Sequence, residues 1–226
     1  VASVIEAVQC GLPLARAEYL DSEAVRAVNL AFSTDYPQAE TLFLEFHGAP
    51  EDVKRQAERF GAIAADNGGG DFKWALESEA RSQLWKARHN AGFAAAAMRP
   101  GARLWSTDVC VPISKLAACI SATKADLAGA PFPAVVLGHI GDGNFHAILL
   151  LDPNSIAEMD AANRFNDVLV ARAIAMDGTC TGEHGIGLGK RKSLRAELGG
   201  AVDLMQQIKH ALDPNDLMNP EKIFVS

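Results

Sequence analysis

Two kinds of hydrophobic spacing alternate along the chain and predict a mixture of helices and strands. In segment 51–67, apolar residues such as Val53, Ala57 and Phe60 recur every three or four positions, which is typical of an amphipathic helix. Short apolar runs such as 41–47 end at glycine or proline and are typical of strands. The pattern predicts, in order, helix 1–9, strand 14–20, helix 22–32, strand 41–47, helix 51–67, strand 72–76, helix 77–98, strand 103–111, helix 114–127, strands 134–139 and 145–151, helix 155–176, a loop at 178–189, helices 190–197 and 200–211, and a tail at 213–224.

The order of these elements favours an α+β fold. We expect a ferredoxin-like antiparallel sheet with helices on one face, plus a helical C-terminal tail from about residue 190. Asp21 or Ser22 should cap the second helix, and Ser114 should cap a later one. The pattern alone does not exclude a doubly wound sheet. No repeat, linker or low-complexity run interrupts the sequence, so residues 1–226 are expected to form one domain.

Composition and charge exclude some classes of protein. The 226 residues carry 21 Lys and Arg against 28 Asp and Glu, and a formal charge of −7 argues against a nucleic-acid-binding groove. No segment is long and apolar enough to cross a bilayer. The four cysteines show no close pairs and are expected to be reduced thiols. The first residues lack an initiator Met and a basic leader, which suggests a piece of a longer protein.

The segment 138–146, GHIGDGNFH, predicts a β-hairpin that brings two histidines together. With residues 141–144 as the loop, Ile140 would pair with Phe145, and His139 with His146. Cross-strand partners lie on one face of a sheet with Cβ atoms roughly 5 Å apart, so both imidazoles could bind one metal ion. The alternative is that both histidines merely pack on the sheet.

A glycine-rich loop at 178–189, GTCTGEHGIGLG, places Glu183 next to His184. Glycine permits a close approach of backbone to a ligand. Neighbouring side chains of an extended loop diverge, so Glu183 could bind a metal with His139 and His146 while His184 faces the substrate as a general base. The alternative is a phosphate-binding loop, although the spacing of a P-loop is missing.

Five segments together resemble the C-terminal cap, or substrate domain, of the FAD-linked D-lactate dehydrogenase (cytochrome) and glycolate oxidase family. The resemblance runs from Leu84 to Phe224, while residues 1–80 match only in pattern. It is carried by LWKARHNA at 84–91, WSTDVCVPIS at 105–114, and the segments 138–146, 179–190 and 213–222.

The resemblance implies specific roles for seven residues. His139, His146 and Glu183 correspond to ligands of a divalent metal, zinc or manganese, and His184 to the catalytic base. The family pattern also implies that Arg88 binds the substrate carboxylate, that Asn144 lies near the substrate, and that Asn219 lies beside the flavin. FAD itself would be bound mainly by an N-terminal domain for which this chain shows no motif.

The resemblance also implies a reaction and partners. A D-2-hydroxy acid would be oxidised to the 2-oxo acid, with a hydride passing to FAD and then electrons to a cytochrome, a quinone or an electron-transfer flavoprotein. Hydroxyglutarate-type relatives carry Thr and Lys where this chain has Gly92 and Ser106, which favours D-lactate or another acid with an apolar tail. The implied location is cytoplasmic or peripheral to an inner membrane, and mitochondrial in a eukaryote.

Two other functions use the same residues. A metal-dependent hydrolase could activate water with His139, His146 and Glu183. A non-catalytic ligand-binding module could use the same pocket without chemistry. The flavin-side tail and Arg88 favour the dehydrogenase over both.

Overall fold

A six-stranded antiparallel sheet organises the described part of the chain. The computed structural model describes residues 1–70, 72–75 and 77–224. The strands are β1 (Arg16–Leu20), β2 (Thr41–Glu45), β3 (Arg103–Ser106), β4 (Val109–Cys110), β5 (Ala134–His139) and β6 (Asn144–Leu151). They are arranged in the order β2-β1-β5-β6-β3, with β4 also paired to β6. The α+β class and the antiparallel sheet expected from the sequence are therefore confirmed.

Eight α-helices accompany the sheet in the described residues. They are α1 (Ala2–Gln9), α2 (Ser22–Phe32), α3 (Pro50–Asp66), α4 (Ser78–Ala94), α5 (Ile113–Leu127), α6 (Ile156–Ala175), α7 (Arg191–Leu198) and α8 (Ala201–Leu212). A short 3-10 helix, Ala95–Met98, follows α4. Asp21 caps α2 as expected, because its carboxylate accepts a hydrogen bond from the Ala24 N–H at 2.7 Å.

The helices cover both faces of the sheet, so the prediction of helices on one face is wrong. Val136, Phe145 and Ala147 pack with residues of α1, α3, α5 and α6. Val135, Leu137 and Ile148 alternate with them and pack with α2 and α4. Both side-chain sets of the central strands are apolar, and an apolar face needs a helical layer to remove it from water.

Three local predictions also need correction. Residues 72–75 form no strand, and Phe72 packs instead on Phe60 of α3 with ring centroids 6.0 Å apart. Leu76 lies outside the described residues. Helix α5 begins at Ile113 after Pro112 and has no side-chain cap, so Ser114 lies inside the helix. The predicted strand 103–111 is divided into β3 and β4 at Thr107 and Asp108.

The interruption at Thr107 has a clear physical cause. The Thr107 carbonyl accepts a hydrogen bond from the His146 ring at 3.0 Å, which removes that carbonyl from the strand ladder. The Thr107 hydroxyl takes its place and accepts from the Ala147 N–H at 2.9 Å. The break in the strand therefore orients a histidine side chain.

Candidate metal and substrate site

The hairpin of β5 and β6 places His139, Asn144 and His146 on one face of the sheet. His139 pairs with Asn144, and Leu137 pairs with His146. The predicted pairing of His139 with His146 is therefore wrong by two residues, because Asn144 joins β6 and pairs with Cys110 as well. A shift of two residues keeps every side chain on its face, so the two rings still meet, with centroids 5.9 Å apart.

Glu183 lies where the three histidines of the site converge. Its Oε1 is 3.1 Å from His146 Nε2, 3.6 Å from His139 Nε2 and 3.6 Å from His184 Nε2. His184 also stacks on His146 with ring centroids 4.9 Å apart. The side chains of Glu183 and His184 thus converge on one point, and the predicted divergence of these two neighbours is wrong.

The convergence follows from the way Asp108 curls the glycine-rich loop. The buried Asp108 carboxylate accepts hydrogen bonds from the backbone N–H groups of Gly182, Glu183 and His184, at 2.9 to 3.3 Å. Three successive N–H groups can point at one carboxylate only if the backbone forms a concave nest instead of an extended strand. Lys190 Nζ adds an ion pair to the same carboxylate at 3.0 Å.

Gly182 is required at the centre of this loop. A Cβ at this position would lie 1.7 Å from Asn144 Nδ2 and 2.8 Å from Asp108 Oδ1. Asn144 in turn donates to Asp108 Oδ1 at 3.2 Å. The hairpin and the loop are therefore packed together through contacts that leave no room for a side chain.

Both hairpin histidines present Nε2 to Glu183 because Nδ1 is occupied by an acceptor. His146 Nδ1 faces the Thr107 carbonyl at 3.0 Å, and His139 Nδ1 faces Glu18 Oε1 at 2.9 Å. A carbonyl or a carboxylate can only accept, so Nδ1 carries the proton in each ring. In the neutral ring each Nε2 then directs its lone pair at the Glu183 carboxylate, and a cation between the three atoms would stabilise this arrangement.

The donor geometry fits a divalent metal. Two ligand atoms that each lie about 2.1 Å from one ion are separated by roughly 3.0 Å at a right angle and roughly 3.4 Å at a tetrahedral angle. The distances from Glu183 Oε1 to the two hairpin histidines, 3.1 and 3.6 Å, are close to these values. Asp108, His146 and His184 form a second cluster of suitable spacing, but the Asp108 carboxylate is already saturated by its donors.

The surroundings shift the pKa values of the site in different directions. Burial lowers the pKa of His146, against the opposing effect of the Thr107 carbonyl. The hydrogen bond to Glu18 raises the pKa of His139, against the effect of burial. Burial alone would raise the pKa of Asp108, but the His184 N–H and Lys190 outweigh it and hold the pKa well below its ordinary value.

Arg88 lies beside this cluster on α4, and the structure pairs it with Glu18. Its Nε and Nη2 both donate to Glu18 Oε2, at 3.1 and 2.7 Å, and both side chains are buried. The two residues and His139 are among those that line a pocket of about 640 Å³. Glu18 was not identified from the sequence, although a carboxylate inside the buried strand RAEYL is a signal of a functional or ion-paired group.

The two remaining predicted site residues, Asn144 and Asn219, lie in different parts of the fold. Asn144 is buried between Asp108 and Gly182, where it holds the loop. Asn219 lies in the tail with a positive φ of 48°, and its carbonyl accepts from the Lys222 N–H at 3.2 Å. The tail returns to the glycine-rich loop, because the Ile223 N–H donates to the Gly187 carbonyl at 2.8 Å.

Comparison with known proteins identifies the family. Residues 1–223 match the family described as FAD linked oxidases, C-terminal domain. The chain belongs to this family. The match begins at residue 1, so membership in the FAD linked oxidases extends well beyond the segment from Leu84 to Phe224 that carries the sequence resemblance.

The relatives of this FAD linked oxidase domain are longer proteins. It is 50% identical over 224 residues to the "Probable D-lactate dehydrogenase, mitochondrial" of Danio rerio, covering 99% of this chain and 45% of that protein. It is 44% identical over 220 residues to the "D-lactate dehydrogenase (cytochrome), mitochondrial" of Arabidopsis thaliana, covering 97% of this chain and 39% of that protein. The chain thus spans less than half the length of these curated relatives.

A solved structure shares the fold. The 4-ethylphenol oxidase from Gulosibacter chungangensis superposes with a TM-score of 0.69 at 16% identity, covering 98% of this chain and 50% of that one. At this identity the likeness supports the architecture alone. None of the helices in the described ranges combines the length and hydropathy that a membrane span requires.

Proposed function

We propose that this chain is the substrate- and metal-binding half of an FAD-dependent dehydrogenase that oxidises D-lactate or a related D-2-hydroxy acid. The observation that carries the proposal is the convergence of three histidine Nε2 atoms on Glu183 Oε1. Membership in the FAD linked oxidases and the names of the two relatives support the reaction class.

His139, His146 and Glu183 would hold the divalent ion, zinc or manganese. When bound, the metal would lower the pKa of the substrate hydroxyl, and FAD would accept the hydride from the α-carbon. The buried His146 would be the fixed ligand, because the Thr107 carbonyl orients its ring. Glu183 and His139 are more exposed and would close the site from the solvent side.

His184 would act as the general base. Its side chain is 45% exposed, and Nε2 lies 3.6 Å from Glu183 Oε1, so it can reach a hydroxyl held beside the metal ligands. Its ring is held against His146 by stacking and by the backbone hydrogen bond to Asp108. His184 Nε2 would receive the hydroxyl proton as the hydride leaves.

Arg88 would bind the substrate carboxylate. Among the described residues its hydrogen bonds use Nε and Nη2, which leaves Nη1 to meet an anion in the adjoining pocket. Asn144, which follows the hairpin turn at the start of β6, would lie near the substrate. Gly92 and Ser106 offer little polar recognition to a second carboxylate, which supports a substrate with an apolar tail.

The partner that supplies FAD would be the N-terminal domain of the same protein. The relatives are more than twice as long as this chain, which leaves room for such a domain. The C-terminal segment exposes apolar side chains that would pack against it, namely Leu204, Ile208, Leu212, Leu217 and Met218. Asn219 follows this group directly and would lie beside the flavin. The electron acceptor would be a cytochrome, a quinone or an electron-transfer flavoprotein, and the relatives' names support a mitochondrial location.

The test is a panel of D-2-hydroxy acids added to the full-length protein, with and without a chelator, while flavin absorbance is followed. We expect D-lactate to bleach the flavin and the chelator to prevent it. Glu183→Gln and His184→Ala should each slow flavin reduction by at least about 100-fold. His47→Gln is the matched control, because the His47 side chain is exposed and, among the described residues, its ring pairs only with Glu45.

Two results would overturn the proposal. Normal turnover in Glu183→Gln would show that Glu183 is not an essential metal ligand. Normal turnover in His184→Ala would show that His184 is not the general base. Chelator-sensitive hydrolysis without flavin reduction would favour the hydrolase instead.

A further inference from the structure

One buried carboxylate contacts both a proposed metal ligand, His139, and the proposed substrate-binding arginine, Arg88. Glu18 lies in the middle of β1 and is 5% exposed. Its Oε1 contacts His139 Nδ1 at 2.9 Å, and its Oε2 accepts from Arg88 at 2.7 and 3.1 Å. Each oxygen therefore serves a different proposed function, metal binding on one side and anion binding on the other.

We propose that Glu18 is a positioning residue that sets the ring orientation of His139 and the guanidinium orientation of Arg88. The inference rests on the proposed function, because it assigns a role toward the same metal and substrate. Glu18 itself contacts neither the metal nor the substrate in this scheme. It acts through the two side chains that do.

The effect on His139 follows from the chemistry of imidazole. An acceptor on Nδ1 keeps the proton there, so the lone pair of Nε2 points at Glu183. Without that acceptor the ring could rotate or change tautomer, because its side chain is 36% exposed and solvent can reach it. Loss of such an outer acceptor typically weakens metal binding by about 10- to 100-fold.

The effect on Arg88 follows from burial. A buried guanidinium needs a counter-charge, and Glu18 supplies it from the strand below α4. Because Nε and Nη2 both meet Oε2, the planar fork is held in one orientation, and among the described residues Nη1 makes no hydrogen bond and would meet an anion in the pocket. The same carboxylate thereby fixes the distance between the anion-binding group and the metal-binding group.

The experiment compares metal binding in the full-length protein and in its Glu18→Gln variant. Manganese or zinc affinity is measured by competition with a chromophoric chelator, which does not depend on turnover. We expect a metal Kd about 10- to 100-fold higher in Glu18→Gln. At saturating metal, the KM for D-lactate should rise more than kcat falls, because Arg88 loses its fixed orientation. Glu18→Asp, which keeps the carboxylate, should recover part of the metal affinity.

Glu45→Gln is the matched control. Glu45 lies on the neighbouring strand and also pairs with an arginine, Arg16, at 3.7 Å, but it contacts none of the proposed ligands. The metal Kd of the Glu45→Gln variant should equal that of the parent protein. If Glu18→Gln does not fold because Arg88 is left unpaired, the double variant Glu18→Leu with Arg88→Met removes both charges and should show the same loss of metal affinity.

The outcomes separate this inference from the proposed function. If His139→Gln abolishes metal binding while Glu18→Gln or the double variant stays within threefold of the parent, the positioning role is overturned. If His139→Gln also leaves the affinity unchanged, the metal site itself is wrong.

Discussion

The two halves of the site are held in place by different means. His139 and His146 lie on adjacent strands, where the ladder of β5 and β6 sets their positions. Glu183 and His184 lie in a loop without a strand or helix, and one buried carboxylate, Asp108, holds their backbone. The backbone positions of the two hairpin histidines therefore depend on many ladder hydrogen bonds, whereas the backbone of residues 182–184 is held mainly by one carboxylate.

This contrast predicts that the loop with Glu183 and His184 is more sensitive to a single substitution than the hairpin with His139 and His146. Loss of one contact in a sheet leaves its other hydrogen bonds in place. Loss of Asp108 removes the acceptor of three backbone N–H groups and the counter-charge of Lys190 together.

Asp108→Ala should destabilise the protein by about 3 to 5 kcal/mol, because it leaves a half-buried lysine and several N–H groups unpaired. Thermal denaturation of the intact protein measures the loss, and hydrogen exchange locates it. Exchange should rise at residues 182–184 and stay slow in β6. Equal acceleration in both segments would contradict the contrast between the halves. Asp177→Asn, at an exposed ion pair with Lys115, is the control and should change stability by less than about 0.5 kcal/mol.

Lowering the pH should remove the stabilisation that the ionised Asp108 carboxylate provides, because the carboxylate becomes protonated. The folded protein holds the pKa of Asp108 below the ordinary value of about 3.9, so the ionised form stabilises the fold above that pH. The contribution is lost as the pH falls toward the lowered folded-state pKa. The Tm difference between the parent and Asp108→Asn should therefore be constant above about pH 5 and narrow below pH 4. A Tm difference that is equal at pH 3 and pH 7 would show that the charge of Asp108 does not contribute to stability.

Gly182→Ala should cost about 1 to 3 kcal/mol, because its methyl group overlaps the Asn144 amide and the loop must shift. Metal affinity should fall as Glu183 moves away from His146. Gly189→Ala is the matched control in the same loop, since a Cβ there meets no atom within 4 Å. Identical behaviour of the two alanine variants would argue against close packing of loop and hairpin.

Asn144→Ala should have the smallest effect, about 1 kcal/mol, because Asp108 keeps its other donors. The Tm change should be well below that of Asp108→Ala. A loss as large as that of Asp108→Ala would mean that the hairpin amide, and not the carboxylate, organises the loop.

The sequence alone predicted most elements and named His139, His146, Glu183 and His184, which the structure brings together. Apolar spacing identified most helices and strands to within a few residues, since burial imposes the same period on every amphipathic element, but it predicted a strand at 72–76 that residues 72–75 do not form and missed the break at Thr107. The pairing of the hairpin was wrong by two residues, yet His139 and His146 still share a face because strand side chains alternate with period two. The glycine-rich loop indicated Glu183 and His184 through local composition.

The orientation of these residues depends on contacts between segments that are far apart in the sequence. The direction of Glu183 and His184 depends on Asp108, which is 75 residues from Glu183 in sequence. The proton position on His139 depends on Glu18, which is 121 residues away. The second helical layer depends on which face α2 and α4 cover. Hydrophobic spacing records whether a side chain is buried, but it carries no information on which distant group lies against it.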